Sequence, residues 1–366
     1  MTSATAKPTF SSTDSSFKRE LFAAVDAHFA NGRSRNATAG YYAKAVFWLA
    51  STFGLWGVLS FVAMPWWLAI PLSLLAGFSM SQVGFNVGHD AIHGSLSNKR
   101  WVNALFSRSF EIMGASSKMW AWAHNVVHHT YTNVPGTDHD LEPGFYLHLY
   151  RREGRGFLHR FQHVYAWALY ALTMFVWVFK KDFVQLAERG EATTKKDVVD
   201  VIIGKLVHFS FWLVVPMVFG VNAWWQVLIG YAMVLAMCGF TAAVVFQLAH
   251  VVEGPSFPTA PTGSLDDDFW THQLKTTANF APRNALATFL TGGLNHQVEH
   301  HLFPRICHAH YGELSVLVEQ VARKHGLPYH SSPTFWGAMA SHARWLKAMG
   351  ASDEKAATPP GIPAAV

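Results

Sequence analysis

Charge is scarce in this chain. Asp, Glu, Lys and Arg together make up 14% of its 366 residues, against about 25% in ordinary soluble domains. Cysteine is scarcer: Cys238 and Cys307 are the only two, which excludes a disulfide framework and any zinc or iron–sulfur site built on cysteine. The first forty residues hold no apolar core followed by a small-residue cleavage site, so no secretory signal is expected. No Lys/Arg-rich tract of the kind that binds nucleic acid is present either. What fills the space is apolar. Hydrophobic residues reach 51% and aromatics 14%, with 15 Trp and 28 Phe, a composition for a membrane rather than for the cytosol.

Five apolar stretches stand out, at residues 45–64, 66–86, 164–179, 201–221 and 224–248. A span needs about 20 apolar residues. The first two stretches are joined by Met64-Pro65-Trp66 and the last two by Gly220-Val221-Asn222, so each pair reads as a helical hairpin. Trp66, Trp67, Trp224 and Trp225 lie at the turns, where interfacial aromatics belong. The stretch 164–179 is short and bounded by Arg160, Lys180 and Lys181; it is expected in the interface or packed on the interior. Lys and Arg number 6 before residue 45, 13 between 87 and 200, and 8 after 249, with none in the two turns. By the positive-inside rule the termini face the cytoplasm.

The organisation expected is therefore a cytoplasmic segment 1–44 with an interfacial helix, a hairpin 45–86, a cytoplasmic region 87–200, a hairpin 201–249, a cytoplasmic region 250–349 and a disordered tail 350–366. The fold class is all-α, with four transmembrane helices in two hairpins and a cytoplasmic helical part. Phe17, Leu21, Phe22, Val25 and Phe29 mark one face of an amphipathic helix, which suits either the membrane surface or the cytoplasmic part. Residues 311–325 form another, stopped by Gly326.

Histidine is abundant, at 21 residues, and eight of them fall in three clusters just outside the apolar stretches: His89 and His93; His124, His128 and His129; His296, His300 and His301. At this histidine frequency the pattern H-x-x-x-H-H should arise by chance roughly 0.07 times in the chain; it occurs twice. On an α-helix, positions i and i+4 share a face, so His89/His93, His124/His128 and His296/His300 could each offer a pair to one ion. His129 and His301 lie about 100° further round, suited to a second ion. Any one histidine alone is more often a satisfied structural side chain, but that reading does not extend to the clusters together. Imidazole suits Fe, Zn, Cu and Ni. A metal transporter would place its ligands inside the spans, and catalytic zinc takes three protein ligands rather than eight.

The segments Asn86-Val-Gly-His-Asp-Ala-Ile-His-Gly94, His124-Asn-Val-Val-His-His-Thr-Tyr-Thr-Asn133 and Gly292-Gly-Leu-Asn-His-Gln-Val-Glu-His-His-Leu-Phe-Pro304 resemble the three histidine boxes of membrane fatty acyl desaturases. The likeness covers roughly residues 40 to 330 and is closest to bacterial and cyanobacterial front-end acyl-lipid desaturases of the linoleoyl Δ6 type. It implies an oxidoreductase with two non-haem Fe ions and O₂ as co-substrate, forming a cis double bond in an acyl chain, with no catalytic side chains beyond the metal ligands. It also implies a further ligand at His250, in Phe246-Gln-Leu-Ala-His250. In the third box the family commonly has Gln at the position of Gln297, while His296 keeps the spacing of box 2; both are candidates, with His296 ahead because imidazole is the better ligand.

Asp90, Asn125 and Glu299 sit inside the boxes and could orient ligating imidazoles, or form a solvated helix face. The run Asp138-His-Asp-Leu-Glu142 resembles a family segment after box 2, with His139 and Asp140 as lesser candidates. Trp120, Trp122, Phe240 and Phe246 could wall an acyl tunnel or simply pack the core. The substrate would be a fatty acyl lipid, acyl-CoA or acyl-carrier-protein thioester. The His-Pro-Gly-Gly haem motif of relatives with a fused cytochrome b5 domain is absent, so electrons are expected from a separate ferredoxin or cytochrome b5 with its reductase. Arg151, Arg152, Arg155 and Arg160 could dock such a carrier or anionic lipid. The expected location is the bacterial cytoplasmic membrane. The alternatives are a Δ9-type acyl-CoA desaturase, or hydroxylation of an acyl chain, alkane or carotenoid on the same scaffold.

Overall fold

A computed structural model of the chain describes residues 7–11, 15–30 and 32–351. The described residues are mostly helical. Helix α1 (Ser16–His28) precedes four helices long and apolar enough to cross a membrane: α2 (Ala39–Phe61), α3 (Trp66–His93), α4 (Lys195–Phe219) and α5 (Trp224–His250). Three shorter helices matter for the site: α6 (Gln297–Leu302), α7 (Tyr311–Lys324) and α8 (Phe335–Gly350). Two small parallel strand pairs tie distant segments, Thr9–Phe10 to Ser264–Leu265 and Ala278–Phe280 to His330–Ser332. The expected tail lies outside the described residues apart from Gly350 and Ala351.

The long helices overrun their apolar stretches at the ends that carry histidine. At 1.5 Å per residue, the 28 residues of α3 and the 27 of α5 extend about 42 and 40 Å, against a hydrocarbon core of about 30 Å. His89, His93 and His250 therefore ride on rigid helix beyond the apolar stretch. Pro65 sits just before the first turn of α3, where it has no hydrogen bond to break.

The central pair is α3 and α5; α2 and α4 flank it and expose more of their surface. Small residues permit the close approach, as in other membrane bundles. A Cβ on Gly77 would run into the carbonyl oxygen of Val234 and lie 3.0 Å from Met237 Cβ. Thr52 and Ser79 share a hydroxyl hydrogen bond of 2.8 Å between α2 and α3. Lys205, the one cation inside an apolar stretch, is neutralised by buried Asp182 at 2.7 Å and donates to the Gly114 carbonyl at 2.6 Å.

Residues 164–179 do not form one continuous helix. They divide among Gln162–Tyr170, Thr173–Val176 and a π-turn at Trp177–Lys181, and they pack on α5. Gly239 makes that possible, since a Cβ there would lie 2.7 Å from Met174 N and 3.2 Å from Ala171 O.

The first helix departs from the expected interfacial helix. Ser15 caps it by accepting from Lys18 N, and its apolar face is already covered: Phe17, Leu21 and Val25 are buried with Leu314, Val318 and Val321 of α7. Amphipathicity reports only that one face needs an apolar partner, and here the partner is protein.

Gly77→Val is expected to destabilise the bundle by about 1–3 kcal/mol, the usual cost of overpacking. Thermal unfolding in detergent measures it. Gly57→Val on α2, where an added Cβ meets nothing within 4 Å, should leave the transition in place.

Candidate metal centre

The two helical boxes are wound differently from an ordinary α-helix. Trp122–His128 is a π-helix, and the His129 amide donates to the His124 carbonyl at 2.9 Å. A turn closed i to i+5 holds one residue more than an α turn, so positions i+4 and i+5 fall on either side of i. That brings His129 onto the face of His124 and His128, contrary to the α-helical expectation of a position about 100° away. His129 Nε2 lies 3.2 Å from His124 Nε2 and 3.0 Å from His300 Nε2. In α3 a π-turn at Gly84–Gly88 immediately precedes His89.

Eight imidazoles converge. His89, His93, His124 and His300 offer ligand atoms all within 4.8 Å of one another, and so do His128, His250 and His301. His129 stands between the two groups, close to His300 and His301. Every one of these side chains is buried. Trp120 stacks on His124 with centroids 4.0 Å apart, and Phe246 reaches both His124 and Phe85.

The far side of several rings is held in place. His128 Nδ1 faces Asp138 at 3.0 Å, His300 Nδ1 meets the Tyr311 hydroxyl at 3.1 Å, and His301 Nδ1 meets Gln273 Oε1 at 2.9 Å. His250 Nδ1 faces the Thr276 carbonyl at 3.4 Å. The opposite nitrogens, Nε2 of His89, His93, His250 and His301, are buried with no hydrogen-bond partner among the described residues. His250 and His301 show Nδ1 anchored and Nε2 bare, which is how proteins present imidazole to a metal, and with the bare Nε2 of His89 and His93 the residues fit a pair of transition-metal ions. Burial, reinforced by neighbouring imidazoles, holds His124, His129, His300 and His301 well below the usual histidine range. They are neutral near pH 7, the form that ligates. For His128 burial pulls down, but the Asp138 carboxylate prevails and the net shift is upward.

Asn133 ties the second group together. Its backbone is left-handed (φ 58°), a conformation that asparagine tolerates. Its Nδ2 donates to the carbonyls of His250 (3.0 Å), Thr276 (3.2 Å) and Ser256 (3.3 Å), and its amide donates to Asp138 Oδ2 at 3.0 Å.

Several sequence expectations need correction. His296 joins neither group. It precedes α6 with non-helical torsions (φ −108°, ψ 58°), so the i, i+4 argument does not apply to it, and its Nδ1 faces Glu299 at 3.7 Å. Gln297 is buried with Oε1 unpartnered, an available oxygen. Asp90 pairs with His308 Nδ1 at 2.7 Å and accepts from Cys307 at 3.3 Å; Asn125 donates to the Ile92 carbonyl at 3.2 Å; Glu299 accepts from Asn279 and Tyr329, both at 2.8 Å. None of the three hydrogen-bonds one of the eight rings. A residue next to a ligand in sequence points about 100° away from it, so the orienting groups come from elsewhere in the chain. Trp122 lies by His139 and Arg189 rather than at the rings. Phe240, on α5, packs against the apolar core. Asp140 does stand at the site: it pairs with Lys181 at 2.9 Å, its Oδ2 lies 3.8 Å from His128 Nδ1, and it groups with His124 and His128.

Loss of an orienting group of this kind costs about 10- to 100-fold in metal affinity. Asp138→Asn and Asn133→Ala are expected to lower metal content from two ions per chain towards one, by loosening His128 and His250. Tyr311→Phe should act on the other group, through His300. His296→Ala should keep both ions. Metal stoichiometry after dialysis against a weak chelator reads all four.

The sequence profile of the fatty acid desaturase family matches residues 64–333. The chain is 33% identical to the sn-1 linoleoyl-lipid 6-desaturase of Arthrospira platensis over 361 residues, covering 97% of this chain and 98% of that protein. It is 33% identical to the sn-1 linoleoyl-lipid 6-desaturase of a Synechocystis strain over 344 residues, 91% of this chain and 95% of that one. An acyl-lipid (8-3)-desaturase of Physcomitrium patens is 31% identical over 319 residues, 85% of this chain and 66% of its own length. With eight buried imidazoles converging, three of them at the ends of apolar helices, and similarity along nearly its whole length, the chain belongs to the fatty acid desaturase family and is an oxidoreductase.

Proposed function

We propose that the chain inserts a cis double bond near the carboxyl end of an acyl chain carried by a membrane lipid, as a front-end desaturase of Δ6 or Δ5 character. The observation that carries this reading is the pair of imidazole groups, His89/His93/His124/His300 and His128/His250/His301 with His129 between them, with His89, His93 and His250 on helices that outlast their apolar stretches. The names of the relatives point to the same acyl-lipid substrates.

Two irons held by these groups would supply the chemistry: with two electrons and two protons from outside, O₂ takes one hydrogen from each of two adjacent methylenes and leaves as two waters. The chain's own part is positioning. Asp138, Gln273, Tyr311 and the Thr276 carbonyl fix the rings, so the ligand nitrogens need no rearrangement. Trp120 and Phe246 present apolar surface against His124, where methylenes would lie, and proximity sets which pair of carbons reacts. The burial of all eight rings keeps bulk water from the reacting atoms.

The four long helices form two hairpins on this reading. Both termini and the metal groups face the cytoplasm of a bacterial membrane, as the Lys/Arg distribution implies. Electrons arrive from a separate ferredoxin or cytochrome b5.

Expression in a host poor in unsaturated lipids, followed by mass spectrometry of its lipids, tests the proposal. The expected product is two hydrogens lighter, with the new double bond close to the carboxyl end; His250→Ala should abolish it. A product heavier by one oxygen would establish hydroxylation instead.

A further inference from the structure

The third histidine box leaves His296 unused by the metal groups, and its surroundings have a character of their own. A cavity of about 460 Å³ lies beside the start of α2, lined among others by Tyr41, Lys44, Arg283, Phe289, His296 and His308. Two cations meet there with no carboxylate in the lining. Arg283 is exposed and has no hydrogen-bond or ion-pair partner among the described residues. Lys44 Nζ lies 2.7 Å from His308 Nε2, and His308 Nδ1 faces Asp90. Lys44 thus donates to a neutral imidazole and has donors left for a ligand. His296 is 1% exposed, and its Nδ1, 3.7 Å from Glu299 Oε2, has no hydrogen-bond partner.

The rim is apolar on one side. Phe289 packs on Phe47 and Trp48 of α2 with centroids 6.3 and 5.6 Å apart. Phe47 and Leu286 are themselves exposed at 52% and 64%. Lys44 is five residues into α2, about 8 Å along its axis, at the end tied to the boxes by the hydrogen bonds Ala37 N to Leu96 O and Cys307 N to Arg35 O. Cations, an unpartnered imidazole and a flanking aromatic wall at this depth suit an amphiphile with an anionic head.

We propose that this cavity binds the phosphodiester of an anionic glycerolipid whose acyl chain is the substrate. Arg283 and Lys44 hold the phosphate, His296 hydrogen-bonds it, and Phe47, Phe289 and Leu286 lie along the first methylenes. This rests on the acyl-lipid reading above and adds the headgroup to it. His296 is four residues before His300, so the head would be anchored about one helical turn of chain from the first metal group. A substrate held by its head this close is measured from its carboxyl end. A soluble acyl carrier would have no use for the lipid-facing wall.

The test is equilibrium binding of fluorescent phosphatidylglycerol to the full-length purified protein in uncharged detergent, paired with steady-state turnover of the acyl lipid. A charge-assisted contact to phosphate predicts that Arg283→Glu weakens phosphatidylglycerol binding by at least about tenfold. Its KM should rise by a similar factor at unchanged kcat, and binding of diacylglycerol with the same tails should stay as it was. Unchanged phosphatidylglycerol binding would overturn the proposal. So would weakened binding with unchanged KM, which marks a structural lipid, and so would displacement by inorganic phosphate or coenzyme A at concentrations that saturate the site, which marks a free-phosphate or soluble-carrier site. Arg283 makes no contact whose loss would unfold the chain, and an unshifted thermal transition verifies that. Binding is read without turnover, so a failure of desaturation in the expression host would not be mistaken for a failure here.

Discussion

Burying an imidazole nitrogen without a hydrogen-bond partner costs about 1–3 kcal/mol. This interior buries four such Nε2 atoms, on His89, His93, His250 and His301. Together that penalty is comparable to the whole stability of a typical domain, about 5–15 kcal/mol. The rest of the structure can be understood as what makes the arrangement tolerable. Nδ1 of His128, His250, His300 and His301 is met by Asp138, the Thr276 carbonyl, Tyr311 and Gln273, so part of the polar demand is met by the protein itself. The backbones that carry the rings are held by packing that owes nothing to the site: α3 against α5 at Gly77, and α1 against α7, which carries Tyr311. Two ions held by these groups would relieve the bare nitrogens.

The π-turns belong to the same constraint. Four rings can point at one ion from two α-helical i, i+4 pairs, but H-x-x-x-H-H must send its last ring to the same interior as its first two. An α-helix would turn His129 aside. The extra residue in the Trp122–His128 turn brings it back between the groups, within 3.0 Å of His300 Nε2. Such turns are rare and are frequently found at functional sites, although Trp177–Lys181 and Ser210–Val214 form them away from this one. Here the distortion provides the position shared by both halves of the centre.

Much of this was legible in the sequence, and the limits are physical. The spans follow from length and apolarity, and the box histidines follow from spacing that chance does not produce. His250 came only through the family resemblance, since one histidine at a helix end carries no pattern. The orienting groups were invisible because Asp138, Gln273, Tyr311 and Thr276 reach their rings through tertiary contact. The in-box residues Asp90, Asn125 and Glu299 misled because sequence neighbours on a helix face different ways. His296 stands outside both groups for a local reason: the helix begins one residue later, so the spacing of box 2 is repeated in letters and not in geometry. A π-turn has no sequence signature comparable to a cap or a proline, and the position of His129 could not be read without it.

Depth joins the site to its chemistry. From Trp66 to His89 is 23 residues and from Trp224 to His250 is 26, or about 35 and 39 Å of helix. Even with a tilt of about 20°, both exceed the ~30 Å of a hydrocarbon core. On the proposed topology, with the tryptophans at one interface, the imidazole groups would lie beyond the other, among headgroups. Charged ions held there would be kept out of lipid, where they are costly. The acyl chain must instead leave the hydrocarbon to reach them. A methylene near the free end would drag most of the tail through polar surroundings, whereas a methylene a few carbons from the ester is already close to headgroup depth. The lengths of α3 and α5 therefore favour reaction near the carboxyl end, for a reason independent of which residues wall the tunnel.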